Sequence, residues 1–338
     1  MPIEMIVIGT IGVGITLYAV LGGADFGAGV WEFNTALQAS ERERALIYRA
    51  IGPVWEANHV WLIFVIVAMF SSFPPAFAAL CRALWLPLLL ALVGIVFRGA
   101  AYAFRSHAVA APRQQTVWGA VFALASTAAP FFLGAAVGAV ASGRLPVTAD
   151  GGYTGNYVTG WMTPLAIFNG FYTVGMCAYL AAAFLAREAC VEGDAELTAL
   201  WRRRALAVGV WMGILALAGL AFVAGEAPRL WAGLRERAWW LVAVSVVTGF
   251  TSLAALWREH YRVAGMGVAT TVATVIWGWA VAQSPWLVPP AISIASAKAA
   301  DGVLRLVAWS IAAGMLLLVP ALAYLIYLFK TDGPRGGV

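Results

Sequence analysis

Apolar residues along this chain form long stretches that are separated by short polar connections. A helix that crosses a membrane needs about 20 mostly apolar residues, and nine stretches of the sequence are long enough. They predict transmembrane helices at roughly 6–31, 54–73, 76–97, 116–141, 160–185, 205–224, 238–256, 263–283 and 303–329. Because no connection is long enough for a folded extramembrane domain, we predict a single integral membrane domain over residues 1–338.

The predicted fold class is an all-α polytopic membrane protein. Two four-helix bundles with one peripheral helix are compatible with nine spans. Most Lys and Arg residues fall in the odd-numbered connections, and cytoplasmic loops carry an excess of these residues. We therefore expect the N-terminus outside and the C-terminus in the cytoplasm. The first span is not expected to be a cleavable signal peptide, because no basic residue precedes it.

Composition narrows the possible functions. Hydrophobic residues make up 62% of the chain and charged residues 11%, whereas soluble domains have about 45–50% apolar and about 25% charged residues. Soluble enzymes and nucleic-acid-binding proteins are excluded on this ground. The net charge of +5 does not indicate a nucleic-acid partner, because the basic residues lie between apolar spans. Three separated cysteines, Cys81, Cys177 and Cys190, form no CxxC motif and are interpreted as packing residues.

Ionisable residues inside the spans are the strongest functional signal. Placing one at the centre of a bilayer costs about 2.5–3.5 kcal/mol on insertion scales. Asp25 lies far inside the first span, and Glu32 follows seven residues later on the same helix face. At the start of the second span, Glu56 and His59 are neighbours on one face, three residues apart.

These residues have two main interpretations. In the structural one, Glu56 interacts with the helix N-terminus, Asn58 donates a hydrogen bond between helices, and His59 packs. In the functional one, Asp25, Glu56 and His59 form a proton route that enters from one face of the membrane, because such residues take up and release protons. A third possibility is electrostatic interaction with another subunit.

Several other residues near the spans have structural interpretations. Trp55, one turn from His59, is assigned to packing. Arg98 and Arg105, which are seven residues apart, are interpreted as cytoplasmic anchors. Asn169 and Gln283 are expected to form hydrogen bonds between helices.

Small residues spaced four apart allow helices to approach each other closely. Three segments have this spacing, namely Gly23–Gly27, Gly134–Gly138 and Gly209–Gly213. The spacing is common by chance in glycine-rich spans, so each segment alone is a weak signal.

The histidine count argues against a haem bound by this chain alone. A membrane b-type cytochrome holds each haem through two axial ligands from facing helices. The chain has three histidines, His59, His107 and His260, and the last two fall in connections between spans. We therefore expect no haem ligand, no other metal ligand and no catalytic residue in this chain, so that redox chemistry must come from a partner.

Several segments closely resemble subunit II of cytochrome bd-type quinol oxidases, in the same order and spacing. The resemblance runs from about residue 5 to residue 330, and its block Gly-Pro-Val-Trp-acid-x-Asn is specific. The segments are Tyr18–Gly29, Ile51–Trp61, Phe97–Arg105, Met162–Leu165 and Trp277–Trp279.

The resemblance implies subunit II of a terminal oxidase in a bacterial inner membrane, where quinol reduces O2 to water. Haems b and d and both reaction sites are then expected on a partner, subunit I. Subunit II would serve as a non-haem scaffold and as a cytoplasmic proton route. By position, Asp25 matches the family's first-helix acid, and Glu56 matches the acid after Pro-Val-Trp. Bound quinone or lipid and a small accessory subunit are compatible with this assignment.

The sequence departs from the family pattern at three positions. Glu56 replaces the usual Asp, His59 stands where Glu is frequent, and Ala103 occupies a position that commonly carries a carboxylate. These departures suggest a divergent branch, of the cyanide-insensitive type. Two alternatives remain, a secondary transporter and a purely structural membrane subunit. Transporters typically have broken helices in corresponding halves, whereas the polar residues here concentrate in the first two spans.

Overall fold

The computed structural model describes residues 2–35, 41–51, 55–107 and 112–331, which are almost entirely helical. A π-helix, Tyr18–Gly22, separates the first two α-helices, and two short strands, β1 (Trp286–Val288) and β2 (Ile292–Ser293), form a hairpin near the end. The α-helices are α1 (Ile3–Leu17), α2 (Gly23–Thr35), α3 (Glu41–Ile51), α4 (Trp55–Ser72), α5 (Pro74–Ala83), α6 (Trp85–His107), α7 (Pro112–Ser142), α8 (Pro164–Val191), α9 (Ala195–Glu226), α10 (Pro228–Glu236), α11 (Trp239–Trp257), α12 (Tyr261–Gln283), α13 (Ile294–Ala297) and α14 (Asp301–Thr331).

Within the described residues, eight helical segments are long and apolar enough to cross a membrane. A ninth span results if the bent pair formed by α4 and α5 counts as one crossing. The continuous segments are Ile3–Glu32, Trp85–Phe104, Gln115–Ser142, Pro164–Val191, Ala195–Glu226, Trp239–Trp257, Tyr261–Gln283 and Asp301–Leu318. The chain is therefore a multi-pass membrane protein.

The bend between α4 and α5 changes the third predicted span. The chain bends by 119° between the two helices, because Phe73 has a non-helical backbone (φ −135°, ψ 57°) and α5 opens with Pro74. Proline has no N–H with which to continue the preceding helix, but it fits a first helical turn. The predicted span over 76–97 corresponds to parts of two helices, because α5 ends at Ala83 and α6 begins at Trp85. The segment long and apolar enough to cross runs over Trp85–Phe104, and the exact bounds of the span stay a prediction.

The two main cores lie at opposite ends of α7. In the larger core, α2 packs against α7 and α8, and α8 continues the packing to α9 and α12. The second core joins α1, α4 and α5 to the other end of α7 and to the β-hairpin. Helix α14 contacts α1 and α4 and leaves large apolar side chains exposed, such as Trp309 and Leu316. The division into two four-helix bundles stays a prediction.

Helix α3 is held at one end of the helices by ion pairs with the connection between α8 and α9. The guanidinium of Arg49 lies 2.8 Å from a carboxylate oxygen of Glu192, and Arg42 pairs with Asp194. A third pair joins Arg204 of α9 to Glu43 of α3 at 2.8 Å. Successive long helices alternate in direction. Helix α10 and the β-hairpin, which follow the ends of α9 and α12, therefore lie at the end of the bundle opposite α3. Which end faces the cytoplasm stays a prediction.

Candidate functional site

An ion pair between Asp25 of α2 and Arg98 of α6 lies inside the helix bundle. The side chain of Arg98 donates to Oδ1 of Asp25, and the two residues are only 1% and 5% exposed. Nε of Arg98 also donates to the hydroxyl of Ser126 in α7, at 3.1 Å. The guanidinium therefore ties together three helices, α2, α6 and α7.

Two aromatic rings complete the surroundings of Arg98. The guanidinium carbon lies 5.0 Å from the ring centre of Phe26 and 5.1 Å from that of Phe122. A cation over an aromatic face is stabilised by the negative potential of the ring, and more strongly where water is excluded. Burial of two charges is tolerated only when each is paired and hydrogen-bonded, and Arg98 meets this condition.

The other carboxylate oxygen, Oδ2 of Asp25, is buried and has no hydrogen-bond partner among the described residues. The hydroxyl of Tyr18, another electrostatic neighbour of this pair, is also buried and unpartnered in the described part of the chain. Buried polar atoms are normally satisfied by protein or by ordered water. Oδ2 is therefore the atom of this site that is available to bind a proton or a water molecule.

Helix α4 approaches Asp25 through its first turns. Asn58 and His59 are electrostatic neighbours of the Asp25 carboxyl, and the amide of Asn58 donates to the carbonyl of Leu21 at 3.3 Å. Leu21 belongs to the π-helix, whose wider turn disturbs the regular hydrogen-bond ladder just before Asp25.

Two further buried acids lie between Asp25 and the end of the bundle that α3 covers. Glu32, 6% exposed, follows Asp25 by seven residues, or about 10 Å along the helix axis. Glu43 of α3, 8% exposed, accepts a hydrogen bond from Arg204 at 2.8 Å. Buried acidic side chains thus occur on α3 itself, at Glu43, and on α2 between α3 and Asp25, at Glu32.

The guanidinium of Arg204 packs against two tryptophans. Its guanidinium carbon lies 5.4 Å from the ring centre of Trp31 and 4.7 Å from that of Trp201. The two indoles meet edge to face, with ring centres 5.6 Å apart. This arrangement fixes the end of α2 against α9, next to Glu32.

The described residues do not form a metal site of the usual kind. Within these parts of the chain, no three His, Cys, Asp or Glu side chains group to hold an ion. His59 is half-buried beside Asp25, whereas His260 is exposed where α12 begins. The side chain of His107 lies outside the described part of the structure. The described histidines therefore do not fit a pair of facing axial haem ligands.

Comparison with known proteins identifies the family. Residues 3–329 match the family model described as cytochrome bd terminal oxidase subunit II. The chain belongs to this family. It is a subunit of a bd-type quinol oxidase, and the alternative of a secondary transporter is not favoured.

Individual relatives agree with the family assignment. The chain is 26% identical to cytochrome bd-I ubiquinol oxidase subunit 2 of Escherichia coli (strain K12) over 282 residues, which cover 79% of this chain and 70% of the relative. It is 28% identical to cytochrome bd ubiquinol oxidase subunit 2 of Bacillus subtilis (strain 168) over 261 residues, which cover 75% and 74%.

A solved structure has the same fold. A chain in the structure of bd oxidase from Geobacillus thermodenitrificans superposes with a TM-score of 0.81. The match covers 98% of this chain and all of the other, at 23% sequence identity. The helix arrangement of this subunit II is therefore that of a known oxidase fold.

Of the residues that the sequence singled out, Asp25, Asn58 and His59 come together in the structure. Trp55, Glu56 and Arg105 belong to helices, but their side chains lie outside the described part of the structure. Their predicted roles in the subunit therefore stay predictions.

Arg98 was interpreted as a structural residue at the cytoplasmic end of its span, and in the structure it lies in a buried ion pair instead of at the surface. The crossing helix α6 continues past Arg98, and the side chain turns inward to neutralise Asp25. One general signal indicated this, because a buried carboxylate in a membrane span requires a cationic or hydrogen-bonding partner. The sequence does not show which cation serves.

Proposed function

We propose that this chain is the non-haem subunit II of a quinol oxidase in a bacterial inner membrane, and that it conducts protons through Asp25 to a haem-bearing partner, subunit I. The chain would support the partner mechanically and leave oxidation of quinol and reduction of O2 to it. Haems b and d in that partner supply the electron transfer and the oxygen chemistry when they are bound. The two-bundle arrangement and the outward-facing N-terminus belong to this proposal.

The state of Asp25 is the observation that carries the proton route. One carboxylate oxygen is held by Arg98, so the side chain cannot rotate freely, while Oδ2 is buried and has no partner among the described residues. A proton can bind Oδ2 and leave it again without breaking the contact to Arg98. His59, close to Asp25 on α4, is the next group that can exchange a proton with it.

The entry of the route is proposed at the end of the bundle that α3 covers. Glu43 and Glu32 lie buried between this end and Asp25, and carboxylates at successive depths typically mark proton paths in membrane proteins. In this proposal the α3 end is the cytoplasmic one, and the excess of Lys and Arg in the odd-numbered connections supports this orientation. Ala103, which is exposed, supplies no carboxylate, so Glu32 takes the place of a third acid in this chain.

The test is a pair of charge-neutralising variants in the purified two-subunit oxidase. Asp25→Asn keeps the size of the side chain but removes its capacity to carry a proton. We expect O2 consumption with quinol to fall about tenfold or more, with haem content unchanged in the optical spectrum. The matched control is Glu196→Gln, which removes a carboxylate that is 82% exposed and should leave the rate unchanged.

Full O2 consumption in Asp25→Asn would contradict the proton route, because it shows that Asp25 carries no necessary proton. Loss of haem or of the partner subunit in Asp25→Asn would instead reflect the loss of the counter-ion of buried Arg98. The double variant that removes both charges then decides between proton transfer and a purely structural role. Glu32→Gln tests the entry separately, because it should slow proton uptake in proteoliposomes without altering the Asp25–Arg98 pair.

A further inference from the structure

A cavity of about 570 Å³ opens at the end of the helices opposite α3. It lies between the last residues of α7, the start of α10 and the loop that follows α12. This position separates it from Asp25, which lies inside the bundle. The residues that give the cavity its character are Ser142, Arg229, Leu230, Arg237, Trp286 and Pro289.

The cavity carries positive charge. Among its described lining residues, the charged side chains are Arg229 and Arg237, both cationic. Arg237 uses two of its donors on the carbonyls of Ser284 and Ala282, the second at 2.8 Å. Arg229 has neither an ion-pair nor a hydrogen-bond partner in the described residues.

The nearest acid in the sequence does not compensate Arg229. Glu226 lies 2.7 Å from the guanidinium of Arg144, with which it forms an ion pair. Arg229 also stands in the first turn of α10, whose N-cap residue, Ala227, provides no side-chain cap. The partial positive charge of the helix terminus therefore adds to that of the guanidinium.

The walls of the cavity are held in place. A Cβ atom at Gly233 of α10 would lie 2.0 Å from the carbonyl oxygen of Ala282, so α10 packs directly on the backbone of α12. Arg237 follows the last residue of α10, and its two hydrogen bonds to the carbonyls of Ser284 and Ala282 hold this end of α10 against the end of α12. The cationic groups thus face a preformed space.

The level of the cavity matches the surface of the membrane. The crossing helices α7, α9 and α12 end here and α11 begins here, with exposed Trp239 and Trp240 at the start of α11. Tryptophan is enriched where hydrocarbon meets headgroups, and this is the depth of lipid phosphates. We propose that the cavity binds the phosphate of an anionic phospholipid through Arg229, with its acyl chain along Leu230 and Trp286.

The chemistry favours a phosphate with an attached apolar chain. A guanidinium matches a phosphate with two parallel hydrogen bonds, and the apolar wall gives no contact to a small inorganic ion. Free phosphate would bind the guanidinium in the same way, but it would make no contact with the apolar wall.

The experiment uses the purified two-subunit oxidase, stripped of bound lipid and then titrated with dioctanoyl phosphatidylglycerol. Native mass spectrometry counts the lipid that remains attached. We expect Arg229→Gln to lose about tenfold in affinity, the equivalent of one charge-assisted contact. The matched control is Arg235→Gln, which removes the same charge from an exposed position on α10 outside the cavity and should bind like wild type.

A second variant tests the wall independently. Ala232→Trp fills the cavity without changing its charge, and it should also weaken binding of the lipid. Equal binding by wild type and Arg229→Gln, or equal weakening by Arg229→Gln and Arg235→Gln, overturns the site. Displacement of the lipid by inorganic phosphate at equal concentration overturns the lipid assignment and leaves a site for free phosphate.

Discussion

Gly27 of α2 lies directly against the backbone of Cys177 in α8. A Cβ atom at position 27 would lie 1.8 Å from the carbonyl oxygen of Cys177 and 2.3 Å from its carbonyl carbon. One turn further along α2, the indole of Trp31 donates to the carbonyl of Ala178 at 2.8 Å. The two helix backbones therefore touch at the level of Asp25, which stands two residues before Gly27.

Gly27→Ala is expected to destabilise the subunit strongly. The added methyl group meets backbone atoms, which cannot rotate away, so α2 and α8 must separate. Overpacking a core costs typically about 1–3 kcal/mol and sometimes more, and we expect the upper part of this range. The measurement is the thermal unfolding midpoint of the purified oxidase, together with the yield of assembled complex.

Gly213→Ala is the matched control for this substitution. A Cβ atom at Gly213 meets nothing within 4 Å, and alanine stabilises a helix relative to glycine by up to about 1 kcal/mol. This variant should therefore unfold at the wild-type temperature or slightly above it. A wild-type midpoint for Gly27→Ala would show that the close approach of the two backbones is not required.

The glycine patterns show how far sequence reasoning reaches here. The small-residue spacing predicted close helix approach in three segments. At four of these glycines, an added Cβ atom would lie less than 3 Å from an atom of another helix, namely at Gly27, Gly134, Gly138 and Gly209. Gly213 has the same spacing but faces open space. The pattern records where a helix can approach, whereas the partner depends on the tertiary fold.

The Asp25–Arg98 pair shows what the sequence alone does not predict. The number and approximate position of the spans follow from apolar stretches, and Asp25 is conspicuous as an acid within one of them. Its partner lies 73 residues away, at the edge of a predicted span, where a cation is usually an interfacial anchor. Only the packing of α6 on α7 and of α2 on α7 brings the two charges together.

Replacing Arg98 alone should be more harmful than replacing the whole pair. Arg98→Met leaves the Asp25 carboxylate buried without its cation, which typically costs about 3–5 kcal/mol. The double variant Asp25→Leu with Arg98→Met removes both charges and fills similar volumes, and such replacements are often neutral or stabilising. Thermal unfolding of the two variants and of wild type gives the comparison.

The double variant also separates stability from proton delivery. With the route through Asp25, it should assemble with normal haem content and yet consume O2 slowly. Wild-type O2 consumption in a well-folded double variant would remove Asp25 from the proton route. Equal instability of the single and double variants would show that the pair has a structural role that apolar packing cannot replace.

Arg204 is expected to stabilise the subunit more than its neighbour Arg203. Arg204 contacts the faces of Trp31 and Trp201 and donates to Glu43, whereas Arg203 is exposed. Arg204→Gln should cost about 1–3 kcal/mol through loss of the cation–π contacts and the ion pair. Arg203→Gln removes the same charge and should change the unfolding midpoint little; similar midpoints for the two variants would contradict the contribution of these contacts.

Docking of α3 should weaken in acid because of Asp194. The backbone N–H of Leu197 donates a hydrogen bond to Oδ1 of Asp194 at 3.1 Å. This hydrogen bond lowers the pKa of Asp194 below its ordinary value, and the guanidinium of Arg42 lowers it further. A carboxyl whose pKa is lowered by folding stabilises the folded state above its unfolded pKa of about 4. This contribution is lost as the pH falls from about 4 through the lower folded value.

Hydrogen exchange of the α3 amides in the purified oxidase measures the effect. After correction for intrinsic exchange rates, protection over Glu41–Ile51 should be lower at pH 3 than at pH 5. In Asp194→Asn, the side chain can still cap α9 but carries no charge to titrate, so its protection should change less between the two pH values. If protection falls equally in both proteins, the acid sensitivity of α3 comes from other groups, because only the wild-type residue 194 can take up a proton.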